Sequence, residues 1–210
     1  MRNGKSPVVS PRPRKASDDE VFAAVNRAMQ RLAPAELTLA DIAEEAGVTA
    51  GALVHRFGSK RNLLLALANR FGGGATELMD GLRAQHRSPL AVVRAYAECM
   101  AQLASSPDAL ARNLAYLQID LIDPDFRKPM LQNARDTRRE LEALLRDAVE
   151  AGELARDTDT HALTLSIETT VSGALLTWAL HREGSASAWM RARVDAALAP
   201  YLRERKRVSR

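Results

Sequence analysis

Side chains that can donate hydrogen bonds to a phosphate or a base edge are concentrated between residues 38 and 60 of this 210-residue chain. They carry hydroxyl, imidazole, guanidinium and ammonium groups, at Thr38, Thr49, His55, Arg56 and Lys60. The residues among them include small or apolar ones, at Ala50, Gly51 and Val54. No acidic residue occurs between Glu45 and Glu77. Donors, small residues and a lack of negative charge suit the major groove of duplex DNA, where Arg56 can take either a guanine or a phosphate.

Two short helices joined by a tight turn are expected to position these side chains. Thr38 and Asp41 have the spacing of a capping box at the start of the first helix. Gly47 falls where a helix ends in a left-handed residue, and Thr49 can cap the second helix. An ordinary pair of packed helices is the alternative to this helix-turn-helix interpretation. Gly51 argues against that alternative, because glycine inside a helix costs roughly 1 kcal/mol relative to alanine.

Residues 17–70 resemble the DNA-binding domain of the tetracycline-repressor (TetR) family of bacterial regulators. The resemblance rests on Leu37-Thr38, Ile42-Ala43, Ala46-Gly47-Val48, Gly51-Ala52-Leu53, Phe57, Gly58-Ser59-Lys60 and Leu63-Leu64-Leu65. It implies that His55 and Arg56 lie near DNA, with Thr38, Thr49 and Lys60 as candidate phosphate contacts. The family usually has a tyrosine at the position of Val54, and that hydroxyl contacts the DNA backbone. Valine cannot hydrogen-bond, so one phosphate contact is in doubt here.

Helical signals continue to the end of the chain, and no convincing alternating strand pattern occurs. We therefore predict an all-α protein of about nine helices, with a three-helix helix-turn-helix domain followed by a helical bundle. The predicted divisions are a disordered basic arm (1–16), the DNA-binding domain (17–70), a ligand-binding and dimerisation domain (71–204) and a basic tail (205–210). Gly72-Gly73-Gly74 marks the boundary between the two domains, because three successive glycines are costly in a helix.

The last two predicted helices, 161–181 and 186–203, are apolar over much of their surface. Such helices must be buried on more than one face, which fits pairing with their symmetry mates in a four-helix bundle. The expected dimer contacts are Ile167, Val171, Leu175, Trp178, Val194 and Leu198. The alternative is that both helices pack inside one subunit. Dimerisation through these helices is also what the family resemblance implies.

The resemblance further implies a small-molecule pocket among the middle helices, whose occupation releases DNA. Candidate lining residues are Met100, Leu103, Tyr116, Asp120, Met130 and Trp178. Plain core packing is the alternative for each of them. The sequence identifies no effector and implies no cofactor.

Composition narrows the classes of protein to which the chain can belong. The net charge is +4, with basic residues concentrated at the two ends, and hydrophobic residues make up 46% of the chain, which is enough for a core. A single cysteine, Cys99, excludes an intramolecular disulfide and favours a reducing cytoplasm. No apolar run is expected to reach the ~20 residues of a membrane helix. The four histidines are far apart, so neither a metal site nor an enzyme is expected.

The resulting hypothesis is a homodimeric transcriptional regulator that binds a pseudo-palindromic operator through two successive major grooves. Release of a repressor by a small effector is the favoured mode, although the sequence does not separate repression from activation. The alternative is a helical dimeric scaffold that has lost specific DNA binding, and Val54 is the residue that favours it. For the regulator, Lys60→Ala is expected to weaken binding to all sequences and to lower the salt slope by about one.

Overall fold

The computed structural model describes residues 16–203, which form ten α-helices and contain no β-strand. The helices are α1 (Asp18–Met29), α2 (Leu39–Ala46), α3 (Ala50–Phe57), α4 (Lys60–Phe71), α5 (Gly74–Gln85), α6 (Pro89–Ala101), α7 (Pro107–Ile122), α8 (Pro124–Glu150), α9 (Thr160–His181) and α10 (Ala186–Leu198). Short 3₁₀ turns follow α6 and α10. The all-α prediction is confirmed. Most of the basic arm (1–15) and the basic tail (205–210) lie outside the described residues.

Side-chain caps begin most of these helices, as the sequence predicts. Capping boxes open α1 at Ser17 and α2 at Thr38, where each hydroxyl accepts the amide of the third helical residue. Single caps open six others, at Thr49, Ser88, Ser106, Asp123, Asp159 and Ser185. Because each cap satisfies an amide that the helix leaves unpaired, the sequence fixes these starting points locally.

Helix α5 is the element that the capping signals do not predict. Its N-cap is Gly73, which has no side chain to accept a hydrogen bond. The glycine run does interrupt the chain as expected, since α4 ends at Phe71 and α5 begins at Gly74. At Gly72 the backbone lies so close to α8 that an added Cβ would be 3.1 Å from Cβ of Pro129.

The chain divides into two compact units between Leu64 and Leu65, inside α4 and before the predicted domain boundary at residue 70. In the first unit, α1 packs on α2 and α2 packs on α3. Their shared core contains Val21, Ala24, Val25, Ala28, Leu37, Ile42, Ala43, Leu53 and Leu63. This small core holds α2 and α3 in the helix-turn-helix arrangement.

The second unit is built around α6, α8, α9 and α10, whose buried faces share one hydrophobic core. Residues 201–203 are tied back to the loop before α9. The amide of Ala155 donates to the Tyr201 carbonyl at 2.9 Å, and the amide of Arg203 donates to the Glu153 carbonyl at 3.1 Å. Leu154 and Leu202 form an antiparallel bridge between these hydrogen bonds. We call this short pairing the terminal clasp.

Helix α9 differs from the sequence expectation in one respect. This 22-residue helix is long and apolar enough to cross a membrane by length and composition, because a window of 18 residues in it has a mean hydropathy of 1.2. Leucine, isoleucine, valine and alanine produce that value, and Glu168 is the only acidic or basic residue between His161 and His181. Leu163 and Ile167 are buried in the core of the second unit, so one face of α9 is a core face.

Candidate nucleic-acid interface

Helix α3 has one buried face and one exposed face. Leu53 is 2% exposed and anchors the helix in the first unit. The opposite side is solvent-exposed, and we call its four residues the reading face: Gly51, Ala52, Val54 and His55. Three of these four side chains are small or aliphatic, and none is acidic. A backbone this lightly covered can approach a groove closely, while His55 retains the reach for a base edge or a phosphate.

The two threonine caps differ in what they can still donate. The hydroxyl of Thr38 donates to Oδ2 of Asp41 at 2.6 Å, while its oxygen accepts the amide of Asp41 at 3.2 Å. The backbone amide of Thr38 also donates to Oδ2 of Asp41, at 2.8 Å, and the hydroxyl and amide donations from Thr38 together lower the pKa of Asp41. Thr49 Oγ1 accepts the amide of Ala52 at 3.1 Å, and among the described residues its proton has no acceptor. Thr49 is therefore free to donate to a phosphate, whereas the proton of Thr38 is already engaged.

Lys60 supports the loop that leads into the helix-turn-helix. Its ammonium group donates to the carbonyl of Pro34 at 3.0 Å and to the carbonyl of Leu37 at 2.6 Å. An ammonium group has three protons, so one donor remains for another acceptor. The basic residue was predicted from the sequence, but its two carbonyl partners were not, because they lie 26 and 23 residues away in the chain.

Arg56 turns away from the reading face towards the start of α1. Its Nη1 donates to the carbonyl of Ala16 at 2.7 Å, and Nη2 forms an ion pair with Asp18. The side chain is 34% exposed. Both contacts were unpredicted, because their partners are about 40 residues distant in sequence. In this arrangement the guanidinium group is held by α1 rather than presented to a guanine.

A second unpredicted group of charges joins α1 to α2. Glu45 accepts hydrogen bonds from Nε of Arg27 at 2.7 Å and from Nη2 of Arg31 at 2.6 Å. These two hydrogen bonds lower the pKa of Glu45. Arg27 and Arg31 have helical i, i+4 spacing, which was the available signal, but only the fold identifies their common acceptor. We call the contacts of Glu45 with Arg27 and Arg31 the brace. The brace keeps α2 in place behind α3.

The six residues predicted as dimer contacts contribute to the core of their own subunit. Ile167, Val171, Leu175, Trp178, Val194 and Leu198 are all buried. Their assignment to a dimer interface stays a prediction. Two sides of α9 are apolar, and the sequence does not show which of them faces inward.

The exposed side of α9 is formed by small and apolar residues, and we call it the outer face. It consists of Leu165, Thr169, Ser172, Leu176 and Leu180. A groove of about 530 Å³ lies beside this face, between α9 and α10, and Thr169 is the one outer-face residue that lines it. There the ring of Trp189 stacks on His181 at 5.7 Å and has Arg193 4.3 Å from its centroid.

The predicted pocket residues do not share one environment. Tyr116 and Trp178 are buried, Leu103 is half-exposed, and Met100, Asp120 and Met130 are partly buried. Nε1 of Trp178 donates to the carbonyl of Gly184 at 3.2 Å, which ties it to the α9–α10 turn. Burial raises the pKa of Asp120 to about 6. Asp120 is the one carboxylic acid of the set.

Two protein-family models match this chain, one near its N-terminus and one in its second unit. Residues 26–67 match the family described as bacterial regulatory proteins, tetR family. Residues 91–194 match the tetracyclin repressor-like C-terminal domain. No individual curated protein matches the sequence.

Several solved structures share the fold. A TetR transcription regulator from Haloarcula marismortui ATCC 43049 is 19% identical, with a TM-score of 0.71 over 89% of this chain and 98% of that chain. SmeT, the repressor of the Stenotrophomonas maltophilia multidrug efflux pump SmeDEF, is 23% identical, with a TM-score of 0.63 over 90% and 92%. FadR from Bacillus subtilis, in complex with stearoyl-CoA, is 15% identical, with a TM-score of 0.65 over 87% and 98%. With both regions matched in order, the chain belongs to the TetR family of DNA-binding transcriptional regulators.

Proposed function

We propose that this protein is a homodimeric repressor that leaves a palindromic operator when a small molecule binds its second unit. The reading face is the observation that carries the proposal. It combines an exposed, lightly covered helix with His55, a capped start at Thr49 and no acidic side chain. A helix N-terminus also favours a nearby phosphate, because its first amides are unpaired and its dipole is positive there.

The proposed DNA contacts can be graded by the donors that remain. Thr49 and His55 are exposed, and Lys60 retains one proton beyond its two carbonyl contacts. We propose these three as the principal contacts, with Ala50, Gly51 and Val54 allowing close approach. Thr38 and Arg56 support the site by holding Asp41 and the start of α1.

Dimerisation is proposed through the outer face of α9 together with α10. Leu176 and Leu180 are 45% and 82% exposed, and no charged residue interrupts the face between Leu165 and Leu180. Association of two such faces would remove this apolar area from water. A dimer would also place two reading faces on a two-fold axis, as a palindromic site requires.

The effector is proposed to bind among α6, α7, α8 and α9 in the second unit. Two relatives of the same fold carry small molecules: SmeT is known with triclosan and FadR with stearoyl-CoA. In this chain Asp120 and Tyr116 lie one helical turn apart on α7. The partly buried carboxyl gives the region a polar group, and the effector itself stays unidentified. To release DNA, it must bind the non-binding arrangement more tightly.

A dimeric scaffold without specific DNA binding is the second candidate. Val54 favours it, and so does Arg56, whose guanidinium is engaged by Ala16 and Asp18. A direct measurement of DNA binding distinguishes the repressor from the scaffold.

The test is fluorescence anisotropy with duplexes from the region upstream of the protein's own gene, against a random duplex of equal length. Specific operator binding is expected to be 10³-fold or more tighter than random binding at about 0.1 M salt. The substitution His55→Ala should remove at least tenfold of that preference, whereas Glu44→Ala, at an exposed site on α2, should not. Equal binding of all duplexes by the unmodified protein would leave the scaffold as the better description.

A further inference from the structure

The first turn of α1 places negative charge against the helix that carries the reading face. Its residues Asp18, Asp19 and Glu20 are all acidic. Asp18 forms an ion pair with Arg56 of α3, and the Asp18 side chain is 57% exposed. Carboxylates stabilise the positive N-terminal end of a helix, which accounts for acidic residues in this turn. The same charges repel the phosphates of any DNA on α3, so the pairing of Asp18 with Arg56 matters to binding as well as to folding.

Arg56 lies where a helix-turn-helix protein meets the DNA backbone. It belongs to the last turn of α3, whereas the N-terminal residues of a recognition helix are the ones that contact base edges. A cleft of about 560 Å³ is lined by Arg56 together with two members of the reading face, Ala52 and His55. The Arg56 side chain is 34% exposed. The guanidinium group therefore has space beside the reading face in which to turn towards a phosphate.

Two acceptors hold the guanidinium group of Arg56 on α1, and they differ in charge. The carbonyl of Ala16 accepts from Nη1 at 2.7 Å and is neutral, whereas Asp18 carries a full negative charge. A phosphate offers the same charge and the same paired oxygen atoms as a carboxylate, so it competes with Asp18 on similar terms. Against the carbonyl alone, the phosphate is the stronger partner. Asp18 is thus the acceptor that keeps Arg56 away from DNA.

We propose that Asp18 limits the affinity of this surface for DNA by holding Arg56 on α1, and that loss of its charge makes Arg56 a phosphate contact. The inference rests on the proposed function, because it requires a duplex on the reading face. It deepens that function by assigning the control of affinity to a residue outside the reading face. Contacts to phosphates carry no sequence information, so Asp18 determines affinity and salt dependence while α3 determines the choice of operator.

The salt dependence of binding tests this role of Asp18. Each phosphate contact adds about 0.9 to the slope of log K against log salt, so Asp18→Asn should steepen the slope by about 1.8 for a dimer. Affinity at about 0.1 M salt should rise roughly tenfold or more, for operator and random duplex alike. Asp18→Glu keeps the carboxylate and should keep the slope of the unmodified protein.

A second background separates the release of Arg56 from the mere loss of a local negative charge. In an Arg56→Gln protein, Asp18→Asn removes the same charge but has no guanidinium group to release, so the slope should stay unchanged. Asp80→Asn is the matched control for overall charge, because Asp80 is an exposed carboxylate that is also paired with an arginine, Arg83. Thermal unfolding is measured in parallel. If Arg56→Gln does not fold, Asp18→Asn against Asp18→Glu and Asp80→Asn still tests the proposal.

Three results would overturn the role of Asp18. They are an unchanged slope in Asp18→Asn, weaker binding by that variant, and an equal steepening in Asp80→Asn or in the Arg56→Gln background. Each of them leaves the proposed function intact as long as the unmodified protein prefers its operator. Absence of any operator preference in the unmodified protein is instead a failure of the proposed function itself.

Discussion

At the scale of single residues, Val54 is the departure from the family that can be reversed. Its side chain is 48% exposed on the reading face and has no hydrogen-bonding group. Val54→Tyr adds the hydroxyl that the family usually has, and one hydrogen bond to a phosphate contributes about 1 kcal/mol. In the proposed dimer two such hydrogen bonds form, one per subunit, so operator affinity, measured by anisotropy, should rise roughly 30-fold. Val54→Phe supplies the ring without the hydroxyl and should leave affinity near that of the unmodified protein.

Lys60 combines a structural and a binding role, so its substitution has two expected effects. Lys60→Ala removes both donors to the carbonyls of Pro34 and Leu37 and should lower the free energy of unfolding by about 1–2 kcal/mol. It should also lower the salt slope by about one for each Lys60 that contacts DNA. Arg27→Ala removes the same charge from a residue already paired with Glu45 and serves as the control. Reduced stability with an unchanged slope would restrict Lys60 to support.

A side chain added at Gly72 would contact helix α8. A Cβ there would lie 3.1 Å from Cβ of Pro129, which is closer than side chains normally pack. Gly72→Ala should therefore destabilise the protein by about 1 kcal/mol in denaturant unfolding. At Gly73 an added Cβ meets nothing within 4 Å, so Gly73→Ala is the matched control. If both variants unfold at the same denaturant concentration, the approach to Pro129 does not require glycine.

At the scale of elements, the brace between α1 and α2 makes stability depend on pH. The hydrogen bonds from Arg27 and Arg31 place the folded-state pKa of Glu45 below its unfolded value. The stabilisation is then present above the unfolded pKa and is lost as pH falls through the folded pKa. Glu45→Gln should consequently flatten the fall in unfolding free energy between neutral pH and about pH 3.

The comparison for that prediction is Glu44→Gln, which removes a neighbouring exposed carboxyl with no ion pair among residues 16–203. Its acid unfolding curve should follow that of the unmodified protein. A Glu45→Gln curve as steep as the unmodified one would show that the brace does not determine this pH dependence.

The elements were predictable to the extent that their signals are local. The signals at the ends of α2 and α3 depend only on residues three or four positions away. They are the Thr38–Asp41 capping box, Gly47 with a φ of 66° and the Thr49 cap, and all were identified from the sequence. Helix α5 has no such signal, because Gly73 cannot cap it. The brace and the contacts of Arg56 and Lys60 join residues 14 to 40 apart in the chain, so only the folded arrangement identifies the partners.

At the scale of the whole molecule, the proposed dimer depends on the outer face of α9. Leu176→Glu places a charge in the middle of this face and should convert a dimer to a monomer in sedimentation, with loss of operator binding. Leu121→Glu alters another exposed leucine, on α7, and should change neither. A Leu176→Glu protein that remains dimeric would locate the interface elsewhere.

The assignment of faces was the part of the molecule that sequence could not settle. Both sides of α9 are apolar, and only packing against α10 and α8 decides that Ile167 and Val171 face inward while Leu176 faces out. The pocket set stays a prediction, and its members differ in exposure for a similar reason: helical spacing groups residues such as Leu103 and Trp178 by type, although one is half-exposed and the other is buried.

The terminal clasp gives the α9–α10 hairpin a mechanical property. One end of the hairpin is closed by the turn where Trp178 binds the Gly184 carbonyl, and the other by the backbone pairing of Glu153 and Ala155 with Arg203 and Tyr201. Because α9 and α10 are joined at both ends, they resist moving apart and form a rigid surface. A rigid surface loses little conformational freedom on binding, so a molecule that binds it meets a surface already in its final shape.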